Sequence, residues 1–124
     1  MAKLIDANVI LRHLLRDIEE QAEQARIIIA GGAYTTAEVL AEVVYVLEKL
    51  YLVPREKIVL ALSALLGEVS VEHVDAVLKA LEVFQSQRLD FVDCVLIGRA
   101  CVLGDDVFTF DKKLNKALRR QLEH

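Results

Sequence analysis

The chain has 124 residues, of which 55% are hydrophobic and 27% are charged, and its formal net charge is −4. The length suits a single domain, and the hydrophobic content excludes an intrinsically disordered chain. The negative charge excludes a broadly basic surface, so any nucleic-acid binding depends on a local patch or a metal ion. The N-terminus carries no signal-peptide pattern, and no apolar run reaches the ~18 residues of a membrane span. We therefore expect a cytoplasmic protein that does not associate with a membrane.

Short apolar strands alternate with helices along the chain. Hydrophobic periodicity predicts strands at residues 2–5, 33–36, 68–71 and 106–110. It predicts helices at residues 8–16, 19–30, 36–51, 55–66, 72–86, 91–103 and 112–121. This alternation is typical of an α/β fold with a parallel sheet covered by helices on both faces.

Several helix ends carry local signals. Thr35 and Glu38 form a T-x-x-E pattern, which predicts a capping box at the start of the third helix. Glycines at 31–32 and at 104 predict the ends of two helices. In the first helix, periodicity turns Val9, Ile10, Leu14 and Leu15 inward.

Two aspartates, Asp6 and Asp111, each follow a predicted strand directly. Ligands of parallel α/β sheets collect beyond the carboxyl ends of the strands, so both residues are candidates for a site. Each aspartate also precedes a helix and could serve only as an N-cap. Asn8 could cap the first helix instead, which would leave Asp6 for another role.

Asp93 lies on an apolar face of the predicted helix 91–103, where a carboxylate needs a partner. That partner is either the helix N-terminus or a metal ion. We favour the metal, because Asp90 can cap the helix. Glu42 points away from the apolar stripe of its helix, and periodicity alone predicts a solvated residue there.

Basic residues occur near these acids, and other kinds of site lack a signature. Arg12 and Arg16 share one helix face, and Lys112 and Lys113 follow Asp111. Such charges usually make a surface soluble, but here they also add local positive potential. The chain has no zinc-type Cys/His spacing, no glycine-rich phosphate loop and no nucleophile elbow. Its two cysteines lie seven residues apart in one predicted helix, about 10 Å along the axis, too far for a disulfide.

Four stretches together resemble the PIN domain family and, within it, the small VapC-type ribonuclease toxins. They are "LIDANVILRHLLRD", "TTAEVLAEVVYVLEKLY", "DFVDCVLIGRA" and "VFTFDKKL". The resemblance covers essentially the whole chain and selects Asp6, Glu42, Asp93 and Asp111 as the acids of the site. One departure is Ala7, where many relatives carry Thr or Ser. The resemblance implies a three-layer α/β/α domain over residues 1–121, with a parallel sheet of about four to five short strands. The last three residues, "LEH" at 122–124, resemble the start of an expression tag, so we expect them to lie outside the domain.

The resemblance also implies a function. The chain would be a metal-dependent endoribonuclease, the toxin of a toxin–antitoxin pair, forming a homodimer and inhibited by a small antitoxin. Asp6 and Asp93 would bind Mg²⁺ or Mn²⁺, with Glu42 and Asp111 holding metal-bound waters or a second ion. Asn8 and Thr109 would add hydrogen bonds around them, while Arg12, Arg16, Lys112 and Lys113 would contact RNA or a partner. The alternatives are a stand-alone PIN nuclease of RNA processing or decay and a PIN-fold binding module without catalysis.

Overall fold

Three short parallel strands organise the first part of the chain. The computed structural model describes residues 1–123 and divides into an N-terminal unit, Met1–Glu72, and a C-terminal unit that begins at His73. The strands are β1 (Lys3–Leu4), β2 (Ala33–Thr35) and β3 (Val69–Val71), paired in the order β1-β2-β3. Because all three run parallel, each is connected to the next by helices, as the α/β prediction requires.

Four helices belong to the N-terminal unit. They are α1 (Ala7–Leu15), α2 (Glu19–Ala30), α3 (Ala37–Tyr45), which continues as a π-helical turn at Val46–Leu50, and α4 (Arg55–Leu65). Helix α1 packs against both α2 and α3. The core contains Ile10, Leu40, Val43, Ile58 and Leu62, all of them fully buried. Burial of each such side chain stabilises the fold by about 1.5–3 kcal/mol.

The described part of the C-terminal unit contains three helices: α5 (Val74–Ser86), α6 (Phe91–Leu103) and α7 (Lys112–Leu122). Helices α5 and α6 pack tightly, with the rings of Phe84 and Phe91 edge to face at 5.7 Å between centroids. Gly98 of α6 lies against the backbone of Ala76 and Ala80 in α5, leaving no space for a side chain. Helix α7 packs against α6. This helical unit therefore depends on a close approach of two backbones.

The helices and the two cysteines agree with the sequence on two further points. Within residues 1–123, no helix has the length and apolar character needed to cross a membrane. Cys94 is buried, Cys101 is half-buried, and no disulfide joins them. The predicted tag remnant at residues 122–124 ends with His124, which lies outside the described residues.

The predicted strand at residues 106–110 is wrong, and the sheet of the described residues has three strands rather than four to five. Residues 104–111 form neither helix nor strand. Phe108 and Phe110, which gave the segment its apolar pattern, are 82% and 90% exposed. Their rings instead contact each other at 5.1 Å. An apolar alternation becomes a strand only when a neighbouring strand accepts its hydrogen bonds.

Two details of the helix predictions are also wrong. The N-cap of α3 is Thr36, whose hydroxyl accepts a hydrogen bond from the Val39 amide at 3.2 Å. Thr35 lies in β2, buried, and donates its hydroxyl to the Ile5 carbonyl at 3.1 Å, so no Thr35–Glu38 capping box exists. In α1, Ile10 is buried as predicted, but Ala7 and Leu11 are buried too, while Val9, Leu14 and Leu15 are only half-buried.

Gly98→Ala is expected to destabilise the protein. The new methyl group would collide with the Ala76 carbonyl, and overpacking of this kind lowers the free energy of unfolding by about 1–3 kcal/mol. Gly31→Ala is the matched control, because its added methyl meets only ordinary contacts at 3.5 Å and its backbone is right-handed. We expect that control to raise the free energy of unfolding by about 0.5 kcal/mol. Urea denaturation measures both, and equal stabilities for the two variants would contradict the tight α5–α6 contact.

Candidate active site

Asp6 connects β1 to α1. Its backbone is extended, and its Oδ1 atom accepts a hydrogen bond from the Val9 amide at 3.1 Å. Asp6, not Asn8, is therefore the N-cap of α1. The side chain is exposed, and its second oxygen accepts no hydrogen bond from residues 1–123. One carboxylate oxygen holds the helix, and the other remains available to a ligand.

A cavity of about 370 Å³ opens beside Asp6 between α1 and α2. Polar lining comes from Asp6, Asn8, Arg12, Gln21 and Gln24. The Arg12 side chain is only 16% exposed and pairs with Asp17 at 3.0 Å, a contact outside the cavity lining. Its Nε atom is buried and has no hydrogen-bond partner among the described residues. The structure thus brings three predicted site residues, Asp6, Asn8 and Arg12, to one cavity.

Two further cavity residues were missed by sequence analysis, and one predicted residue lies elsewhere. Gln21 and Gln24 project from α2, where polar side chains at helical spacing look like a solvated face. Only their position opposite α1 distinguishes them. Arg16 ends α1 in a left-handed conformation, with φ of 53°, and is absent from the cavity lining.

Glu42 is exposed on α3, between the buried residues Leu40 and Val43. The helical periodicity predicted this exposure correctly. In the described chain its carboxylate forms neither an ion pair nor a hydrogen bond, and it does not line the cavity beside Asp6. Glu38 is exposed as well. The family-derived role of Glu42 stays a prediction.

Asp93 is the third residue of α6 and is half-buried. Burial raises the pKa of its carboxyl group above the ordinary value, the negative charges of Asp90 and Asp111 raise it further, and Lys113 acts in the opposite direction. The Asp93 carboxylate forms no hydrogen bond or ion pair within residues 1–123. The carboxylate therefore lies near two others and has no partner that compensates its desolvation.

Asp90 is an acid that the sequence analysis treated only as a cap. It occupies the N-cap position of α6, but its side chain makes no capping hydrogen bond, contrary to the expectation. Its charge acts on Asp93 instead. The spacing of three residues could have indicated this proximity, because such neighbours share a helix face.

Asp111 begins α7 as Asp6 begins α1. Its Oδ1 atom accepts a hydrogen bond from the Leu114 amide at 2.9 Å. The hydroxyl oxygen of Thr109 accepts a bond from the Asp111 amide at 3.0 Å, and Asn115 donates its side-chain amide to the Thr109 carbonyl at 2.9 Å. Thr109 thus positions the backbone of Asp111 rather than its carboxylate. Asn115 is a supporting residue that the sequence analysis missed.

The chemistry of the donor set suits a hard divalent cation. Among the described residues of each unit, no group of three or more His, Cys, Asp or Glu side chains has the spacing of a metal site. Mg²⁺ does not require one, because it keeps several waters and usually binds one or two protein carboxylates. The negative charge of the Asp93 carboxylate is unfavourable beside Asp90 and Asp111. A cation bound there would neutralise this charge and stabilise the ionised carboxylate.

A family model described as the PIN domain matches residues 3–119. The match runs through both structural units and includes all four acids selected by the resemblance. No curated protein and no solved structure matches the chain.

Asp93→Asn is expected to stabilise the metal-free protein at neutral pH. Because the native pKa of Asp93 is raised, the native state binds the proton more tightly than the unfolded state. Ionisation therefore destabilises the native state as pH rises through the native pKa. The variant should be more stable than the wild type near pH 7, and the difference should shrink below about pH 4, where both states are protonated.

Urea denaturation in EDTA across this pH range measures the difference. The control is Asp75→Asn, which alters an exposed acid in the first turn of α5. It should lower stability slightly through loss of a favourable helix-dipole interaction. If the difference in free energy of unfolding between the wild type and Asp93→Asn is the same at all pH values, the raised pKa of Asp93 is refuted.

Proposed function

The chain belongs to the PIN domain family, which has a nuclease-type fold, and from this premise we propose that it is a metal-dependent endoribonuclease. The observation that supports this most directly is the Asp93 carboxylate, which is half-buried, lacks a partner among the described residues and lies near Asp90 and Asp111. Such a carboxylate is destabilised without a cation. Nucleases of this family generally use divalent metal ions, so the residue chemistry and the family agree.

We propose that Asp6 and Asp93 are the main protein ligands of Mg²⁺ or Mn²⁺, and that Glu42 and Asp111 bind metal-coordinated waters or a second ion. When bound, such an ion lowers the pKa of a water and offsets charge on a phosphodiester. Asp6 and Asp111 can take part because each uses only one carboxylate oxygen as a helix cap. Both caps also hold the carboxylates in place before a ligand arrives, which reduces the ordering cost of binding.

The neighbouring polar residues have supporting roles in this proposal. Thr109 fixes the backbone at Asp111, and Asn8 lies with Asp6 in the lining of the same cavity. Arg12, Arg16, Lys112 and Lys113 would contact RNA phosphates or a protein partner. Arg12 is already paired with Asp17, so its contact would use the remaining guanidinium hydrogens.

We propose further that the protein acts in the cytoplasm as a homodimeric toxin of the VapBC type, inhibited by a small antitoxin. The support is the resemblance of the four acid-bearing stretches to VapC-type toxins over nearly the whole chain. A reading frame for a small DNA-binding protein directly upstream of this gene, together with growth arrest relieved by its product, tests this role. Metal-dependent RNA cleavage without growth arrest would support a stand-alone nuclease of RNA processing or decay instead.

Asp6→Asn and Asp93→Asn should each abolish RNA cleavage while keeping the fold. An amide matches the carboxylate in shape but is a poorer ligand for a hard cation, and we expect a rate loss of about a hundredfold or more. Cleavage of a labelled single-stranded RNA in Mn²⁺ and in EDTA measures the effect, with circular dichroism to check folding. Asp75→Asn is the control and should cleave normally. Wild-type rates in both site variants, or wild-type cleavage in EDTA, would rule out the proposed metal site.

Glu42→Gln tests whether Glu42 acts in the reaction, as the family resemblance implies, or is only an exposed surface residue. If Glu42 acts on the reaction, the variant should cleave RNA about tenfold more slowly or worse, the scale of lost help with proton transfer. If it is only a surface residue, stability should change by less than ~0.5 kcal/mol and the rate should not change. Glu38→Gln is the matched control, because both residues are exposed on α3. Equal rates for the two variants would remove Glu42 from the site.

A further inference from the structure

A second cavity, which we call the basic pocket, lies in the C-terminal unit. It encloses about 320 Å³ beside α7 and the segment that connects α5 to α6. Its charged lining consists of four cations and no acid: Arg88, Lys113, Lys116 and Arg120. Ser86 and Gln87 add neutral polar groups. In a chain with a net charge of −4, such a concentration of positive charge is a local feature that overall composition hides.

The cations of the basic pocket differ in their partners from four arginines elsewhere in the chain. Four arginines outside the pocket pair with a carboxylate: Arg12 with Asp17, Arg26 with Glu23, Arg55 with Glu48, and Arg99 with Asp105. Within residues 1–123, none of the four cations of the pocket forms an ion pair. Their like charges repel one another, so an anion bound in the pocket would gain from all of them.

The spacing of the basic residues along α7 explains why positive charge is concentrated in the pocket. Lys113, Lys116 and Arg120 are spaced by three and four residues, which places them on one face of the helix. That face is about 10 Å long from Lys113 to Arg120. Gln87 accepts a hydrogen bond from Arg120 at 3.3 Å and connects α7 to the segment that carries Arg88. The pocket is therefore an elongated basic surface rather than a single-point anion site.

The basic pocket and the acids share one helix. Asp111 is the N-cap of α7, and Lys113 follows two residues later, near Asp93 and in the lining of the pocket. A ligand that extends from the carboxylates into the pocket must carry negative charge where it meets the four cations. It must also tolerate the acids, which a polyanion does when divalent cations bind between them.

We propose that the basic pocket binds backbone phosphates of a single-stranded RNA substrate, at nucleotides adjacent to the one that is cleaved. This inference rests on the proposed nuclease function, because it assigns the path of the RNA away from the acids. The exposed rings of Phe108 and Phe110, in the segment that leads to Asp111, favour RNA over an acidic protein segment. Neither ring lines the pocket, but exposed aromatic side chains are the usual platform for unpaired bases in proteins that bind single strands.

The test compares two double variants of equal charge. Lys116→Gln with Arg120→Gln removes two cations of the pocket, whereas Lys57→Gln with Arg119→Gln removes two exposed cations outside its lining. Arg119 is a close match for Arg120, because it lies in the same last turn of α7. Circular dichroism and denaturation check that both double variants fold.

The probe is a fluorescent single-stranded RNA of about 12 nucleotides, held in EDTA so that it is not cleaved, and binding is followed by anisotropy over a range of salt concentrations. Each lost phosphate contact should reduce the slope of log K against log salt by about 0.7. The pocket variant should lose about 1.4 from the slope and bind about tenfold more weakly near 0.1 M salt. The control should retain the wild-type slope. Equal slopes for the two double variants would overturn the proposal.

Two further measurements separate this inference from its alternatives. A polyglutamate peptide of the same charge as the RNA tests for an acidic protein ligand. If it binds the wild type as tightly as RNA does, and the pocket variant loses both, the assignment to RNA is wrong. Cleavage assays on the same proteins test the proposed function separately. If the wild type binds RNA through the basic pocket but does not cleave it, the proposed nuclease function is wrong. The proposed binding of RNA by the pocket is then still supported.

Discussion

Side-chain capping of helix N-termini is the interaction on which the placement of two of the four candidate acids depends. Asp6 and Asp111 each accept a hydrogen bond from the backbone amide three residues ahead, and Thr36 does the same at the start of α3. A cap fixes the direction in which a helix leaves the preceding segment and holds the capping side chain. The same bond therefore sets the course of the chain and the position of a carboxylate. Capping and ligand binding are compatible at Asp6 and Asp111, because one oxygen suffices for the cap.

Asp93 shows the opposite situation. It lies in the first turn of α6, yet its carboxylate gains no hydrogen bond or ion pair within the described residues, and burial destabilises its charge. The fold tolerates this cost because the contact between α5 and α6, with Gly98 against Ala76 and the Phe84–Phe91 ring pair, stabilises the helices that carry it. Residues that lower stability in this way are commonly retained where a function requires them.

The charges of the C-terminal unit are separated rather than balanced. Acids gather near the start of α6 and α7, while unpaired cations follow along the face of α7. A polyanion that crosses such a surface meets repulsion at the acids, which a divalent cation converts to attraction, and direct attraction at the cations. In the proposed nuclease, one helix would serve both metal binding and phosphate binding, since Asp111 caps α7 and Lys113 lies in its first turn. The overall acidity of the chain is compatible with a polyanionic substrate for this reason.

The sequence by itself determined the α/β class and the bounds of α2 and α6, because these follow from signals within a few residues. The choice of four acids came from the family resemblance and stays a prediction. Helical periodicity and the terminal glycines are local, and so is the exposure of Glu42. Only the tertiary structure decided the features that depend on distant partners. Thr35 pairs with Val71 in β2 and donates its hydroxyl to the Ile5 carbonyl, so the cap of α3 is Thr36. Residues 106–110 failed as a strand because a strand needs a neighbour to accept its hydrogen bonds. The basic pocket likewise combines Arg88 with α7, residues that are far apart in sequence and that only folding brings together.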